Sequence, residues 1–445
     1  MAIPAIALAG DAEPLWRPIR RISVPENGGH FGWSIATLGD RLLVGAPNLD
    51  GNGTTAAFAY VIEPATGDVI HTLRVEVGDD RWWQFAVATV EGNALVGIAP
   101  GEEADRLGGS VTLFDGDTGG TIRTFCCLGA LSLGVGENVL LGGEGGAALY
   151  EPATGNVIRT YTIADPERRG VLSLARVGRT LAIAAALPVG VHLFDERTGT
   201  RIGFAGTNHG NARRFGSAMA VSGSRLAATE VPQVNVFDLG FGALLATIDS
   251  PAGFPRGTFG TSLAYVDGGL LAVGAPSASL AGGGGVHLFD PSHAFVTTLT
   301  ADGVGLDFGR SITGLGRSIA VGAPTDDGGT VVIFSPCGDA VVDAPVEQCD
   351  DGNDDPSDGC DGACRVTTAG GAVCGDADGS GTASVSDGVL VLRAAAGLPS
   401  PCTNARCDAD GDGRIGITDG VQVLRFAAGL PASLLCTSDG ASRMR

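Results

Sequence analysis

The chain has 445 residues and a formal net charge of −21, and all 28 of its basic residues are arginines. That balance argues against nucleic acid and an anionic membrane surface as partners, and the lack of lysine excludes a lysine Schiff base or nucleophile. Seventy-two glycines with only 6% aromatic and 17% charged residues describe short strands joined by many turns, in a length that holds one large domain plus small ones.

The chain opens with MAIPAIALAGDAEP (residues 1–15 with the following Leu15), short, apolar and ending its apolar run in Ala-Leu-Ala. It reads as the remnant of a signal peptide that lacks a basic start. No apolar run reaches the roughly 18 residues that a membrane span requires. The segment Ile19–Ser23 then reads as a strand without a hairpin partner of its own.

From residue 31 the sequence FGWSIATLGDRLLVGAP reads as two strands joined by a tight Gly39-Asp40 turn. One hairpin cannot bury its own faces, and the chain repeats it seven times, from Phe31, Phe85, Leu131, Leu172, Phe215, Phe259 and Phe308. Three copies end in Gly-Ala-Pro: Gly45–Pro47, Gly274–Pro276 and Gly322–Pro324. Each copy continues into a third strand, such as GGVHLFDP, and most into a fourth. Four strands per repeat, at a period of about 40–55 residues, predict a β-propeller. These motifs resemble the FG-GAP repeat of integrin-α-type seven-bladed propellers, over residues 16–336. The last copy stops at Ser335-Pro336, so the Ile19–Ser23 strand is expected to complete blade seven and close the ring.

Many blades of that family bind calcium between their first two strands. The corresponding turns here, such as Leu38-Gly39-Asp40 and Leu315-Gly316-Arg317, are too short to supply enough oxygen ligands, so metal-free blades are expected. Loops on the face after each GAP position carry Glu102, Glu144 and Glu230, with Trp82 and Trp83 before the second repeat. They read as an ordinary acidic rim in preference to a sugar site, with the tryptophan pair as the ligand contact of first choice. His192 and His287 share one position in Gly-Val-His-Leu-Phe-Asp and are explained by the repeat. No nucleophile elbow, phosphate loop or zinc motif is present. Cys126 and Cys127 are read as buried free thiols.

At Cys337 the composition changes. Eight of the ten cysteines lie between 337 and 436, a density that indicates disulfides and an oxidising compartment. Residues 337–366, with Cys337, Cys349, Cys360 and Cys364, resemble a short cysteine-rich repeat of bacterial surface and secreted proteins. The four cysteines leave three pairings open. The acidic cluster Asp350, Asp351, Asp354, Asp355 and Asp358 reads as a solvated stapled loop in preference to a cation site. Residues 367–373 read as a flexible linker.

Two copies of one unit follow within residues 374–436, before a tail of 437–445. In the first, oxygen ligands fall at Asp376, Asp378, Ser380, the carbonyl of Thr382, Ser384 and Asp387, with Gly381 at the sharp turn. In the second they fall at Asp408, Asp410, Asp412, the carbonyl of Arg414, Gly416 (through water) and Asp419, with Gly413 at the turn. This is the spacing with which a twelve-residue loop wraps one calcium ion, so two Ca2+ sites are expected, the second tighter because it has one more carboxylate. A helix is expected after each loop, Asp387 to Ala396 and Asp419 to Ala428, with none before it. Val389, Leu392, Val421 and Leu424 are expected to pack the two halves together. Cys374, Cys402, Cys407 and Cys436 flank the units and are expected to staple them.

A duplicated loop-then-helix unit ending in aspartate resembles the type I dockerin domain. The resemblance implies a protein partner, a cohesin, contacted through Val385, Ser386, Ile417 and Thr418 and through Arg393 and Arg425. The chain as a whole reads as a secreted or cell-surface bacterial protein without catalysis. Its propeller would be a platform for a protein or carbohydrate ligand, and its tail a calcium-dependent docking module. The alternative is a dockerin-bearing enzyme or accessory protein of polysaccharide catabolism.

Overall fold

In the computed structural model of the chain, the founding hairpin is antiparallel, Ser34–Leu38 against Arg41–Ala46, with Ser34 opposite Gly45 and Leu38 opposite Arg41. Strands Ala56–Ile62 and Val69–Glu76 extend it into a four-stranded sheet. The structure describes residues 16–24, 29–47, 56–76, 82–100, 109–128, 138–143, 145–163, 171–185, 189–206, 215–240, 242–251, 257–266, 269–276, 284–301, 307–324, 328–336, 342, 347, 349–350, 360, 364, 367–368, 372–380, 382–428, 430, 432 and 434–436.

Six more sheets repeat the first blade, giving a mainly β, seven-bladed propeller. The third has the strands Val139–Gly143, Gly146–Tyr150 and Val157–Thr162. Its expected first strand, after Leu131, lies outside the described residues. In the last sheet the order is Arg17–Ile22, Thr330–Ser335, Ser318–Ala323, Ser311–Leu315. The N-terminal strand therefore supplies the fourth strand of blade seven and closes the ring, which protects the edge that an open sheet would expose. First strands form the inner ring: Ser34–Leu38 packs against Trp82–Val90 on one side and Ser311–Leu315 on the other.

The FG and GAP residues explain one another at the blade junctions. Phe31, Phe215, Phe259 and Phe308 are at most 1% exposed. Each meets an aromatic ring of its own blade's third strand edge-on: Tyr60, Phe237, Phe289 and Phe334, at 5.7–6.2 Å. The glycine that follows turns the chain into the left-handed region, with φ +89° at Gly32 and +91° at Gly309. Its carbonyl then accepts a hydroxyl hydrogen bond from the preceding blade. Ser311 donates to Gly32 (2.7 Å), Ser262 to Gly309 (2.7 Å), Thr229 to Gly260 (2.5 Å) and Ser173 to Gly216 (2.5 Å). The GAP glycine makes room for this latch, because a Cβ on Gly322 would collide with the Gly32 carbonyl.

The chain divides into two compact units, the propeller body Arg20–Phe334 and a second unit that carries the residues from Ser335 onward. In the second unit, Cys349 pairs with Cys360, Cys374 with Cys436, and Cys402 with Cys407. Cys364 is also disulfide-bonded, and Cys337 lies outside the described residues. The segment expected as a flexible linker contains a small antiparallel ladder, Thr367–Thr368 with Ala372–Val373.

Two helices of equal length, α1 (Val385–Ala395) and α3 (Ile417–Ala427), pack together in this unit. Each begins two residues earlier than the acidic end of its loop suggested. The reason is local: the Asp387 carboxylate accepts the Ser384 N–H (2.9 Å) and Asp419 the Gly416 N–H (2.6 Å), which caps the first turn. A one-turn helix, α2 (Asn404–Cys407), precedes the second loop, where none was expected. The Cys402–Cys407 bond spans it. Val391 and Val423 fill the core between the halves at 0% exposed, whereas Val389 and Val421 are 48% and 44% exposed. For the valines the expectation is thus corrected by two positions, whereas Leu392 and Leu424 pack across the halves as expected, against Gly420 and Gly388. Gly388 and Gly420 stand at the crossing, and the valines that follow them face outward.

Candidate metal and recognition sites

Both loops bury carboxylates. Asp376 and Asp387 are 2% and 0% exposed, and Asp408 and Asp419 are 0% and 1% exposed. Carboxylates are rarely buried so completely without a partner. In the first loop Asp376, Asp378 and Asp387 each bring a carboxylate oxygen within 4.8 Å of the others. In the second loop Asp408, Asp410 and Asp412 do the same.

Backbone N–H groups hold the oxygens in place, and the two loops are held alike. Asp378 donates to Asp387 Oδ1 (3.0 Å) as Asp410 donates to Asp419 Oδ1 (2.9 Å). Ser380 N–H donates to both Asp376 and Asp378 at 2.9 Å, and Gly413 N–H to Asp408 at 2.8 Å. The hydroxyl of Ser384 is spent on Asp387 (2.5 Å) and that of Ser380 on Asp376 (3.3 Å). Thr382 and Arg414, whose carbonyls were the position-seven candidates, are exposed. Arg414 N–H donates to Asp412 at 2.8 Å. Gly416 stands next to the Asp419 cap.

The electrostatics follow from this geometry. Hydrogen bonds from Ser380 hold the Asp378 carboxyl below its usual range. Burial raises that of Asp419, the charges of Asp410 and Asp408 adding to the effect, although the Gly416 and Asp410 N–H bonds oppose it. Three carboxylates drawn together repel unless a cation lies among them. A donor set made only of hard oxygens suits an alkaline-earth-type ion and not a thiophilic one. The residues present therefore fit a bound cation. A third grouping, Glu347, Asp350 and Cys364, does not. The Cys364 sulfur is in a disulfide and offers no thiolate.

All six residues predicted to touch a partner are at the surface. Val385 is 55% and Ile417 70% exposed, and Ser386, Thr418, Arg393 and Arg425 are exposed as well. With the outward Val389 and Val421, each helix presents one stripe at i, i+4, i+8: Val385, Val389, Arg393 on α1 and Ile417, Val421, Arg425 on α3. The two valines were missed as surface residues because their apolar character fits either side of a helix.

On the propeller, Glu230 is 6% exposed and accepts a hydrogen bond from Asn235, which in turn accepts one from Thr247 (2.7 Å). It lies inside its sheet. Glu102, Glu144, the acidic residues from Asp351 to Asp358 and Gly381 lie outside the described residues, as do the side chains of Trp82, Trp83, Cys126 and Cys127. His192 and His287 are buried at 1% and 0% exposed. Among the described residues no catalytic constellation is evident, and no helix is long and apolar enough to cross a membrane.

One pairing was not anticipated. Arg310 places its guanidinium 4.3 Å from the ring centroid of Trp33, and the His30 ring meets the same indole edge-on at 6.0 Å. The signal in the sequence was positional: both residues directly follow an FG dipeptide, where blades five and six carry the small Ser217 and Thr261.

Residues 23–62 match the family model described as "FG-GAP repeat". No curated protein matches the chain. Among solved structures, the chain is similar to BamB from Moraxella catarrhalis, at 14% identity and a TM-score of 0.45, over 68% of this chain and 83% of that one. It is also similar to the computationally designed Ika8 protein, at 15% identity and a TM-score of 0.48, over 71% of this chain and 98% of that one.

Proposed function

We propose that this is a secreted or cell-surface, non-catalytic modular protein whose tail is a calcium-dependent docking module and whose propeller is a recognition platform. The observation that carries the reading is the duplication in the tail. Two loops with matching buried carboxylates each lead into a helix with a matching exposed stripe. Two Ca2+ ions would be held by Asp376, Asp378 and Asp387 and by Asp408, Asp410, Asp412 and Asp419, with Ser380, Ser384, Gly416 and the carbonyls of Thr382 and Arg414 completing the shells. Bound calcium would supply the positive charge that lets these carboxylates converge, and so fix the first turn of each helix.

The stripes headed by Val385-Ser386 and Ile417-Thr418 would meet a protein partner, a cohesin in the dockerin reading. The disulfide-rich segment from 337 to 366 acts as a rigid spacer. The FG-GAP match to one repeat supports an integrin-α-like propeller, on which a protein or carbohydrate would be bound. The disulfides at Cys349–Cys360, Cys374–Cys436 and Cys402–Cys407 support an extracytoplasmic location.

Calorimetric titration of calcium into the full oxidised chain tests the reading. Two binding events, one lost in Asp376→Asn and the other in Asp408→Asn, are expected. Absence of binding at millimolar calcium would leave the tail an acidic stapled domain and remove the docking role.

A further inference from the structure

Blade seven meets blade one at the point where the ring closes, and there the residue after each FG dipeptide is large: Trp33 and Arg310. Ser34 pairs with Gly45 and the Trp33 N–H donates to the Gly45 carbonyl at 3.2 Å, so the pair stands at the GAP end of the blades. The FG turn itself does not require these side chains. At the equivalent place in blade six, Thr261 satisfies its own turn by donating to the Thr258 carbonyl at 2.7 Å.

Arg310 is half-buried over the indole, and among the described residues its guanidinium makes no hydrogen bond or ion pair. Asp307, three residues away, attracts it without contact, and burial lowers the arginine pKa from its usual range while leaving it charged. No Arg310 nitrogen is both buried and unpartnered, so its planar N–H fork reaches solvent and is free to meet an acceptor of matching shape. The Trp33 side chain packs against the core cluster that contains Phe85, and its backbone N–H also donates to the carbonyl of His30, a residue in the left-handed region at φ +64°.

We propose that the Arg310–Trp33 pair is a carboxylate-binding anchor on the propeller's GAP-end face, and that its ligand is an acidic side chain of a peptide or protein. The pair fits a planar, bidentate acceptor, which a guanidinium matches fork to fork. A saccharide acid is disfavoured by the aromatic geometry. One side of the Trp33 indole is covered by Arg310 and the partly buried ring packs against the core, which reduces the surface on which a sugar ring would stack.

The inference rests on the reading of the propeller as a recognition platform and is independent of calcium. The test uses the full chain and two fluorescein-labelled hexapeptides, Gly-Ser-Gly-Asp-Gly-Ser and its Asn counterpart, followed by anisotropy with and without trigalacturonate as competitor. Wild type is expected to prefer the Asp peptide by about tenfold, Arg310→Gln to lose that preference, and Arg310→Lys to keep part of it. Trp33→Phe, which keeps a ring, is expected to weaken binding less than Arg310→Gln. Calorimetric calcium binding should be the same in all variants, which separates failure here from failure of the docking tail. Equal affinity for the two peptides, an Asp preference that survives in Arg310→Gln, no binding at millimolar peptide, or stronger binding of trigalacturonate than of the peptide would each overturn the proposal.

Discussion

Gly388 lies directly against Leu424, and a Cβ built on the glycine would fall 2.5 Å from the leucine Cγ. Gly420 repeats the relationship with Leu392, also at 2.5 Å, so the two halves of the C-terminal domain interlock through equivalent residues. Alanine at either site gains helix propensity of about 0.5–1 kcal/mol but overpacks the crossing by roughly 1–3 kcal/mol. A net loss of stability is expected for Gly388→Ala and Gly420→Ala, measured by denaturant unfolding of the tail's helical signal. A gain would mean that the helices have room to separate.

The same crossing decides which valines matter. Val391→Ala and Val423→Ala should each lose about 2 kcal/mol, because they empty fully buried positions. Val389→Thr and Val421→Thr should stay within about 0.5 kcal/mol, as surface changes do. If the exposed stripes meet a partner, the threonine pair will weaken capture of that partner without changing the melt.

Calcium affinity should follow the carboxylate count. Ser380→Asp gives the first loop the fourth carboxylate that the second loop already has, and its affinity is expected to rise by about tenfold. Isothermal titration would then show two events of closer affinity than in wild type. Chelation should cost helical signal in both proteins, since a loop carboxylate caps the first turn of each helix.

At the ring closure, Ser311→Ala removes the hydroxyl that satisfies the Gly32 carbonyl and leaves that carbonyl buried. A loss of about 1–3 kcal/mol is expected in unfolding of the propeller, against a much smaller effect for an exposed serine such as Ser292. Equal losses at the two sites would show that the latch contributes nothing particular.

His287 gives the propeller a pH dependence. Burial pushes its pKa down to about 4, from an ordinary value of 6.5, and Nδ1 shares a hydrogen with the Thr298 hydroxyl at 2.8 Å. Between those two values the unfolded chain binds the proton and the folded chain does not. Its contribution is therefore complete above pH 6.5 and is lost as the pH falls toward 4, by up to about 3 kcal/mol. Urea midpoints measured across that range should fall with pH in wild type and fall less in His287→Phe.

Several features were legible in the sequence because they are local and repeated. Seven copies of one strand pattern, with turns at fixed offsets, specify blades, and a last copy short of a fourth strand specifies closure by Arg17–Ile22. The alternating acidic loops and the glycine-proline stops of α1 and α3 are likewise written in spacing alone, since one loop must supply all its ligands from neighbouring residues. What only the tertiary structure decided depends on contacts that spacing does not encode. Which face of α1 is buried was set by how closely Gly388 lets Leu424 approach, and apolar residues on both faces left the periodicity ambiguous. The pairing of Cys374 with Cys436 joins residues 62 apart in sequence, a contact between the two ends of the domain that spacing does not choose. Arg310 and Trp33, at opposite ends of the propeller sequence, become neighbours only when the ring closes, because closure brings the first blade beside the last.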